Sequence, residues 1–545
     1  MLFCGLKLTH DGSVALIEDN KLIFSYEVEK FNNNKRYSEI PDLDFVEEAL
    51  NLHGYTSADV DRFVIDGWAG LKESRVDTRS HGQELSLSVA PYREVSLSAD
   101  ALQAYSGSGL VIGEKPFNYT SYMHATTHIA STYCASPYAV NKEPSYALVY
   151  DGGMYPRFYY FDPANGKLEN LGPLFMYIGN IYSLFSLHFE PFLRGGQGPR
   201  VDDLSVAGKV MAYIAKGRVR PELLEQFELT YARHFSPSME FNWTFSQEIK
   251  RYVDEHHIPH ADALASFHQY LEQLLVTSLE ASVAKHGRKT KNFCFIGGCS
   301  LNIKWNSAIR ESGLFDDVFV SPFTNDTGSA IGAACCEMIH QTGHPHLNWS
   351  VYSGPMVIQN DPAEGWESRA CTVSQLAELL HTTDEPVVVL NDRAELGPRA
   401  LGNRSILAAA VRPDMKDRLN AIKQREDYRP VSPICIEEHA PAIFSPGTRD
   451  PYMLFDHMLN DEWVERIPAI RHLDGTARLQ TVSREDNPLI YDLLHAYEKL
   501  SGIPVLCNTS ANLLGSGFFP DVRSATEWNG TRYVWCNETL YEKQQ

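Results

Sequence analysis

No stretch of this 545-residue chain approaches the roughly 20 apolar residues that a membrane-spanning helix needs. Its start, Met1-Leu-Phe-Cys-Gly-Leu-Lys7, lacks the basic opening and long apolar core of a secretory leader. Ten cysteines include no Cys-x-x-Cys pair, and several sit in apolar runs (Cys294, Cys335, Cys336, Cys435, Cys507). A disulfide framework and a zinc ribbon are therefore excluded, and buried free thiols in a cytoplasmic protein are expected. Positive charge is scarce: 48 Lys and Arg against 69 Asp and Glu give a net charge of −21. Such a field repels phosphate polymers, so neither nucleic acid nor an anionic membrane is an expected partner. Gly-x-Ser-x-Gly, His-Glu-x-x-His, the Walker pattern and the dinucleotide fingerprint are also missing, which disfavours esterase and zincin chemistry. What remains is ordinary for a soluble globular protein, 43% hydrophobic and 21% charged, and long enough for two or three domains.

The most informative stretch is His124-Ala-Thr-Thr-His128. Histidines four apart on a helix project from one face, about 6 Å apart along the axis, so both imidazoles can reach one metal ion. Asp151 ends the apolar run Tyr146-Ala-Leu-Val-Tyr150 at a Gly-Gly turn, and Asp326 lies in Phe323-Thr-Asn-Asp-Thr-Gly328 before the small-residue run Ala330-Ile-Gly-Ala-Ala334. Two imidazoles and two carboxylates would suit Fe(II), Mn(II) or Zn(II). The spacing alone is equally that of two ordinary helical histidines. His256, His257, His260, His344 and His346 fall in polar, proline-broken stretches and are expected to be loop residues.

Two segments share a shape. Leu2–Leu8, Val14–Ile17 and Lys21–Tyr26 read as three strands around polar turns, as do Tyr146–Tyr150, Arg157–Asp162 and Lys167–Leu171. A domain of two related α/β halves with a cleft between them would follow. A helix over Asp262–His286 with Asp262 as N-cap, a buried strand over Asn292–Ile296 and a linker over Asp361–Ala370 complete the outline.

From Asn391 to Pro430 the balance reverses, with nine Lys and Arg against six Asp and Glu. Leu396-Gly-Pro-Arg399-Ala-Leu-Gly402-Asn-Arg404 interleaves turn glycines with arginines, and Lys423, Arg425, Arg429 and the distant Arg478 follow. Guanidinium forks and a lysine in one place fit phosphorylated small molecules, although pairing with Asp392, Glu395 and Glu426 would use the same residues. Asn508 and Ser510 close a strand beginning at Pro504, a usual ligand position in open α/β sheets. Gly297-Gly298-Cys-Ser-Leu-Asn302 would let a backbone approach a nucleotide. Leu193-Arg-Gly-Gly-Gln-Gly-Pro199 and Gly208-Lys209 are similar loops; a solvent loop and a surface lysine would look the same.

Taken together, Gly397-Pro-Arg-Ala-Leu-Gly-Asn-Arg-Ser405, Arg425-Glu-Asp-Tyr-Arg-Pro430, Asn508-Thr-Ser510, Gly208-Lys-Val-Met211 and Gly297–Asn302 resemble the O-carbamoyltransferases of the NodU/CmcH family, the tobramycin and cephem carbamoyltransferases among them. The resemblance implies an α/β protein: a TsaD-like duplicated actin/hexokinase-type (ASKHA) domain over 1–355, then a YrdC-like α/β domain over 366–545. It implies an ATP-dependent carbamoyltransferase that forms carbamoyl-adenylate from carbamoyl phosphate and ATP, then carbamoylates a small-molecule alcohol, as in antibiotic or other secondary metabolism. Arg399, Lys423, Arg429, Arg478, Asn508 and Ser510 would hold phosphates and the carbamoyl group. Lys209, Gly297, Gly298 and Asn302 would contribute to substrate or nucleotide binding. His124, His128, Asp151 and Asp326 would bind Fe(II), with Mn(II) or Zn(II) as substitutes, and Mg(II) would accompany ATP. His10 would be the general base. The chain departs from the family over Ala511–Asp521, where Gly517-Phe-Phe-Pro-Asp521 looks more like the cephem branch. Two alternatives share these parts: tRNA threonylcarbamoylation, against which the acidic charge argues, and a catalytically silent nucleotide- or metal-binding regulator. A metal-dependent peptidase fits poorly, since no glutamate stands between His124 and His128.

Overall fold

The computed structural model describes residues 1–72, 74–194 and 204–544. Of the glycine-rich loop Leu193–Pro199, everything from Gly195 lies outside the described residues. The backbone packs as two compact units, residues 1–93, 102–135 and 321–545 in one and 94–101 and 136–320 in the other. Mixed α/β sheets with helices make up both.

The first unit holds two large sheets. One runs in the order Lys21–Glu27, Ser13–Glu18, Leu2–Lys7, Arg62–Asp66, Lys115–Tyr122, Tyr105–Ile112. Leu2–Lys7 is its hinge of direction, antiparallel to Ser13–Glu18 and parallel to Arg62–Asp66. Its residues are buried from Phe3 onward, because helices cover both faces: Asp44–Asn51 on one and Ser329–Thr342 on the other. A strand buried on both faces needs a continuous apolar run, which is what Leu2-Phe-Cys-Gly-Leu provides. Ser329–Thr342 in turn packs on helix His124–Ala135. The approach is so close that a Cβ on Gly332 would stand 1.9 Å from the Thr127 carbonyl oxygen. Gly332 serves this contact, while the backbone of Ala330 and Ala334 lies against Gly5 of strand Leu2–Lys7.

The other large sheet lies wholly within residues 366–543, in the order Trp366–Ala370, Thr539–Lys543, Tyr533–Cys536, Val387–Leu390, Arg404–Ala409, Val505–Ser510, Ser432–Ile436, Gln480–Val482. Its core joins Val388, Leu407, Ile434 and Leu506 to Leu376 and Leu380 of helix Val373–Thr383 and Leu493 and Leu494 of helix Pro488–Ser501. Half of the expected linker Asp361–Ala370 is therefore sheet: Trp366–Ala370 pairs antiparallel with Thr539–Lys543. As an edge strand it is mostly exposed, so it carries no apolar signal to read. The stretch before it is less loose than its composition suggests. Leu22 donates to the Asn348 carbonyl and Ser25 to that of Ser353, while Val357 donates to the Asp392 carbonyl.

In the second unit a five-stranded sheet runs Lys167–Pro173, Arg157–Asp162, Ser145–Val149, Asn292–Ile296, Asp317–Phe319. Here too an antiparallel triplet meets a parallel neighbour at its third strand. The first sheet has the same order, so the duplication read from the sequence is visible in strand pairing. The long helix is His260–His286, and Pro259 precedes it as N-cap. Asp262 is not the cap: its carboxylate accepts from the Arg218 amide at 2.8 Å and the Arg220 guanidinium at 2.7 Å. All ten cysteines are free thiols, nine of them buried. Among the described residues no helix is long and apolar enough to cross a membrane.

Candidate active site and metal centre

Two groups of functional side chains form within the first unit. The first lies at the ends of strands Leu2–Lys7 and Arg62–Asp66, against helix His124–Ala135. His124 and His128 are fully buried, and their Nε2 atoms stand 3.1 Å apart. Asp326 Oδ1, in the turn before Ser329–Thr342, is 3.6 Å from His124 Nε2 and 3.3 Å from His128 Nε2. Ligand atoms about 2.1 Å from one cation lie about 3.0 Å apart at octahedral and about 3.4 Å apart at tetrahedral angles. The three atoms thus have the mutual spacing of one metal's coordination sphere.

Asp66 and Lys7, which sequence reasoning missed, make the arrangement work. Asp66 Oδ2 accepts from His124 Nδ1 at 2.8 Å and from Lys7 Nζ at 2.9 Å, and Oδ1 accepts from Thr127 Oγ1 at 2.5 Å. Holding the His124 proton on Nδ1 leaves the lone pair on Nε2, the tautomer a metal requires. Lys7 Nζ also stands 2.9 Å from Asp326 Oδ2, so one buried ammonium spans both carboxylates. Burial alone would push the Asp66 carboxyl up, but His124 and Lys7 bring it down to about 2. For Asp326 burial is likewise outweighed, by Lys7, His124 and His10, and its pKa falls well below the ordinary carboxylate value. A signal for Asp66 was present: Val64-Ile65-Asp66-Gly67 has the form of Val149-Tyr150-Asp151-Gly152.

His10 borders this cluster. Its Nδ1 is 2.9 Å from Asp11 Oδ2, and its Nε2 is 3.8 Å from Asp326 Oδ2. Asp11 occupies a left-handed conformation, φ 57°, which turns its carboxylate back onto the preceding ring. Burial disfavours charge on His10, yet Asp326 and Asp11 hold its pKa above the usual imidazole value. Trp68 packs edge-on to both His10 and His124, and Lys7 lies 4.2 Å from its ring centroid.

The second group belongs to the eight-stranded sheet. Burial first, then Arg478, Arg36 and Arg429, pull Arg399 well below its ordinary pKa. Arg478 is lowered to about 10 by burial and by Arg429 and Arg425. Lys423 is also held well below its usual range, by burial and then Arg425 and Arg36. Cations crowded so that each opposes the next form a site that an anion would relieve. Arg36 comes from the N-terminal sheet's side of the unit and was not foreseen. Lys423 Nζ donates to the carbonyls of Ser510 at 2.8 Å and Asn512 at 2.5 Å and to the Asn512 side chain. The Ser510 hydroxyl donates to the same side chain at 2.8 Å. Asn508 donates to the Ala400 carbonyl at 3.0 Å and to Gln480 at 2.8 Å. These bonds tie the strand end Val505–Ser510 to the Arg399 loop.

The basic island does not act as one. Arg404 is 1% exposed and spends its guanidinium on the carbonyls of Pro355, Asn391, Asp392 and Asn403, so it builds the loop. Glu395 accepts from the amides of Leu401, Asn403 and Arg404, and is committed to the loop backbone.

Asp151, Lys209, Gly297, Gly298 and Asn302 belong to the second unit. Asp151 Oδ1 accepts from the Gly298 amide at 2.8 Å, so the glycine loop's first use is to orient that carboxylate. Asn302 caps helix Ile303–Glu311 through the Lys304 and Trp305 amides. Lys209 is half-buried on helix Val206–Tyr213.

Comparison with known proteins gives a consistent picture. The model described as carbamoyltransferase N-terminus matches residues 2–335, and that described as carbamoyltransferase C-terminus matches residues 377–543. The chain is 48% identical to nodulation protein U of Rhizobium tropici, over 100% of this chain and 96% of that protein. It is 47% identical to nodulation protein U of Sinorhizobium fredii, over 100% and 99% respectively. To the 3'-hydroxymethylcephem-O-carbamoyltransferase of Streptomyces clavuligerus it is 32% identical, again over 100% and 99%.

Proposed function

The chain belongs to the carbamoyltransferase family, and we propose that it is an ATP-dependent O-carbamoyltransferase acting through carbamoyl-adenylate. The observation that carries the reading is the pairing, in one unit, of a crowded cation site with a separate His/Asp cluster of ligand spacing. Residues 366–545 would form the YrdC-like adenylating domain, and residues 1–355 the TsaD-like transfer domain.

In the first half-reaction the carbamoyl group is joined to AMP, with one water consumed and with pyrophosphate leaving ATP and orthophosphate leaving the donor. Arg399, Lys423, Arg429 and Arg478 neutralise these oxygens; charge stabilisation of this kind is usually the largest catalytic contribution. Asn508 and Ser510 present polar atoms at the strand end, and Mg(II) travels with ATP. Gly297, Gly298, Asn302 and Lys209 would serve nucleotide or substrate binding from the second unit.

In the second half-reaction an alcohol oxygen attacks the carbamoyl carbon, the bond to the adenylate oxygen breaks and AMP leaves. His10 takes the alcohol proton on Nε2, and Asp11 holds the ring through Nδ1. His124, His128 and Asp326, with Asp151 as a fourth ligand carried over from the resemblance, would hold Fe(II) or a similar ion. When bound, such an ion supplies Lewis-acid polarisation. The acceptor is a small-molecule hydroxyl. Identity is higher to nodulation protein U than to the cephem enzyme.

Separating the half-reactions tests the division of labour. Arg399→Ala should abolish carbamoyl-phosphate-dependent pyrophosphate release, whereas His10→Asn should spare it and block carbamoylation of the alcohol. Equal loss of pyrophosphate release in both variants would contradict the assignment.

A further inference from the structure

The Arg399 loop is held from outside its own sheet. Strand Lys21–Glu27 of the six-stranded sheet ends in Glu27, and the short helix Val28–Phe31 carries Lys30. Glu27 Oε1 accepts the Gly397 amide at 2.8 Å. Lys30 Nζ donates to the same Oε1 at 2.8 Å, to the Gly397 carbonyl at 2.5 Å and to the Glu395 carbonyl at 2.8 Å. One ion pair therefore grips Gly397 at both its N–H and its C=O, two residues before Arg399. Both side chains are buried, Glu27 at 3% and Lys30 at 2% exposure.

Gly397 cannot adjust to a different hold. Its φ is +79°, and a Cβ there would stand 1.9 Å from the Pro322 carbonyl oxygen. The far side of Lys30 faces the Phe518 ring, 4.9 Å from its centroid. Phe518 lies in the divergent stretch Ala511–Asp521. That stretch pairs with the segment after Lys30: Gly517 donates to the Asn34 carbonyl and Arg36 to the Gly515 carbonyl, with a bridge between Lys35 and Ser516. The segment from Glu27 to Arg36 is thus fixed at one end to the Arg399 loop and at the other to the loop beyond Ser510. It also carries Arg36, which lies within electrostatic reach of Arg399 and Lys423.

We infer that Glu27 and Lys30 are positioning residues for the anion site, acting through Gly397 to fix where the Arg399 guanidinium stands. A buried ion pair adds little net stability over an apolar pair, so its value here is geometric. This inference rests on the adenylating role given to Arg399. A displacement of about 1 Å at a site of this kind costs up to about 100-fold in rate.

The test uses the full-length protein, Lys30→Met and Glu27→Asp. The second keeps the buried charge balance while withdrawing the acceptor from Gly397, so it remains informative where the first fails to fold. Three quantities are read: affinity for inorganic pyrophosphate by calorimetry, kcat and KM for carbamoyl-phosphate-dependent pyrophosphate release, and transfer from supplied carbamoyl-adenylate to an alcohol. Pyrophosphate affinity should fall about tenfold and kcat/KM by about 10- to 100-fold, with transfer from supplied adenylate unchanged. Unchanged pyrophosphate affinity in a folded variant would overturn the inference. So would equal loss of both half-reactions, the mark of a merely structural role. Failure of the underlying reading shows separately, as absence of carbamoyl-phosphate-dependent pyrophosphate release in the unaltered protein.

Discussion

Asp66→Asn isolates one negative charge at the proposed metal centre. The amide keeps the carboxylate's shape. Its oxygen can still face His124 and Lys7 if the Thr127 hydroxyl accepts from the amide nitrogen and donates to the His124 carbonyl, which it already reaches at 2.8 Å. What disappears is the charge that makes His124 a stronger ligand and balances Lys7. Loss of such a carboxylate partner lowers metal affinity about 10- to 100-fold, or about 1.4 to 2.7 kcal/mol. Breaking a buried ion pair costs about 3 to 5 kcal/mol of stability. Lys7 retains Asp326 at 2.9 Å, so the low end, about 3 kcal/mol, applies to the metal-free protein. Zinc titration against a chromophoric chelator reads the first quantity and urea unfolding of metal-free protein the second. Zinc affinity within twofold of the unaltered protein would refute the claim that Asp66 sets the His124 ligand atom.

The cation site makes a pH-dependent prediction. Burial, Arg425 and Arg36 depress Lys423, so its charged form is disfavoured without an anion; a bound polyanion favours it. Pyrophosphate binding should therefore draw a proton onto Lys423, so the unaltered protein should take up more protons on binding, or release fewer, than Lys423→Arg, which is charged throughout. Calorimetry in buffers of different ionisation enthalpy would show this, and identical proton counts for the two proteins would contradict it. Gly332→Ala would drive a Cβ into the Thr127 carbonyl and force apart the helices that carry His128 and follow Asp326. A loss of about 1 to 3 kcal/mol and a lower zinc affinity are expected, measured by denaturant unfolding and the same titration. Wild-type values for both would show that the close helix contact does not matter.

The site was legible where its chemistry is local in sequence. His124 and His128 are one helical turn apart, and Asp326 stands at a turn before a run of small residues whose purpose is visible in the Gly332 and Gly5 contacts. Asp66 is 58 positions from His124, and nothing in the spacing links them until the parallel pairing of Arg62–Asp66 with Lys115–Tyr122 sets Asp66 beside Tyr122, just before that helix. The basic island pointed to the Arg399 loop, but composition does not separate Arg399, crowded by other cations, from Arg404, consumed by four carbonyls. The three-strand patterns announced both strand triplets because strands as buried as Leu2–Lys7 and Ser145–Val149 leave continuous apolar runs. Trp366–Ala370 leaves none, being an exposed edge. Asp262 had the chemistry of a cap, yet a tertiary bond to Arg220 claims it.

The reaction class is open to one direct measurement. Purified protein loaded with Fe(II) is incubated with ATP and Mg(II), with and without carbamoyl phosphate, and the adenylyl products are weighed by mass spectrometry. Pyrophosphate release is expected only with carbamoyl phosphate, together with a product of carbamoyl-AMP mass. Folded, metal-loaded protein that releases no pyrophosphate in response to carbamoyl phosphate would contradict it.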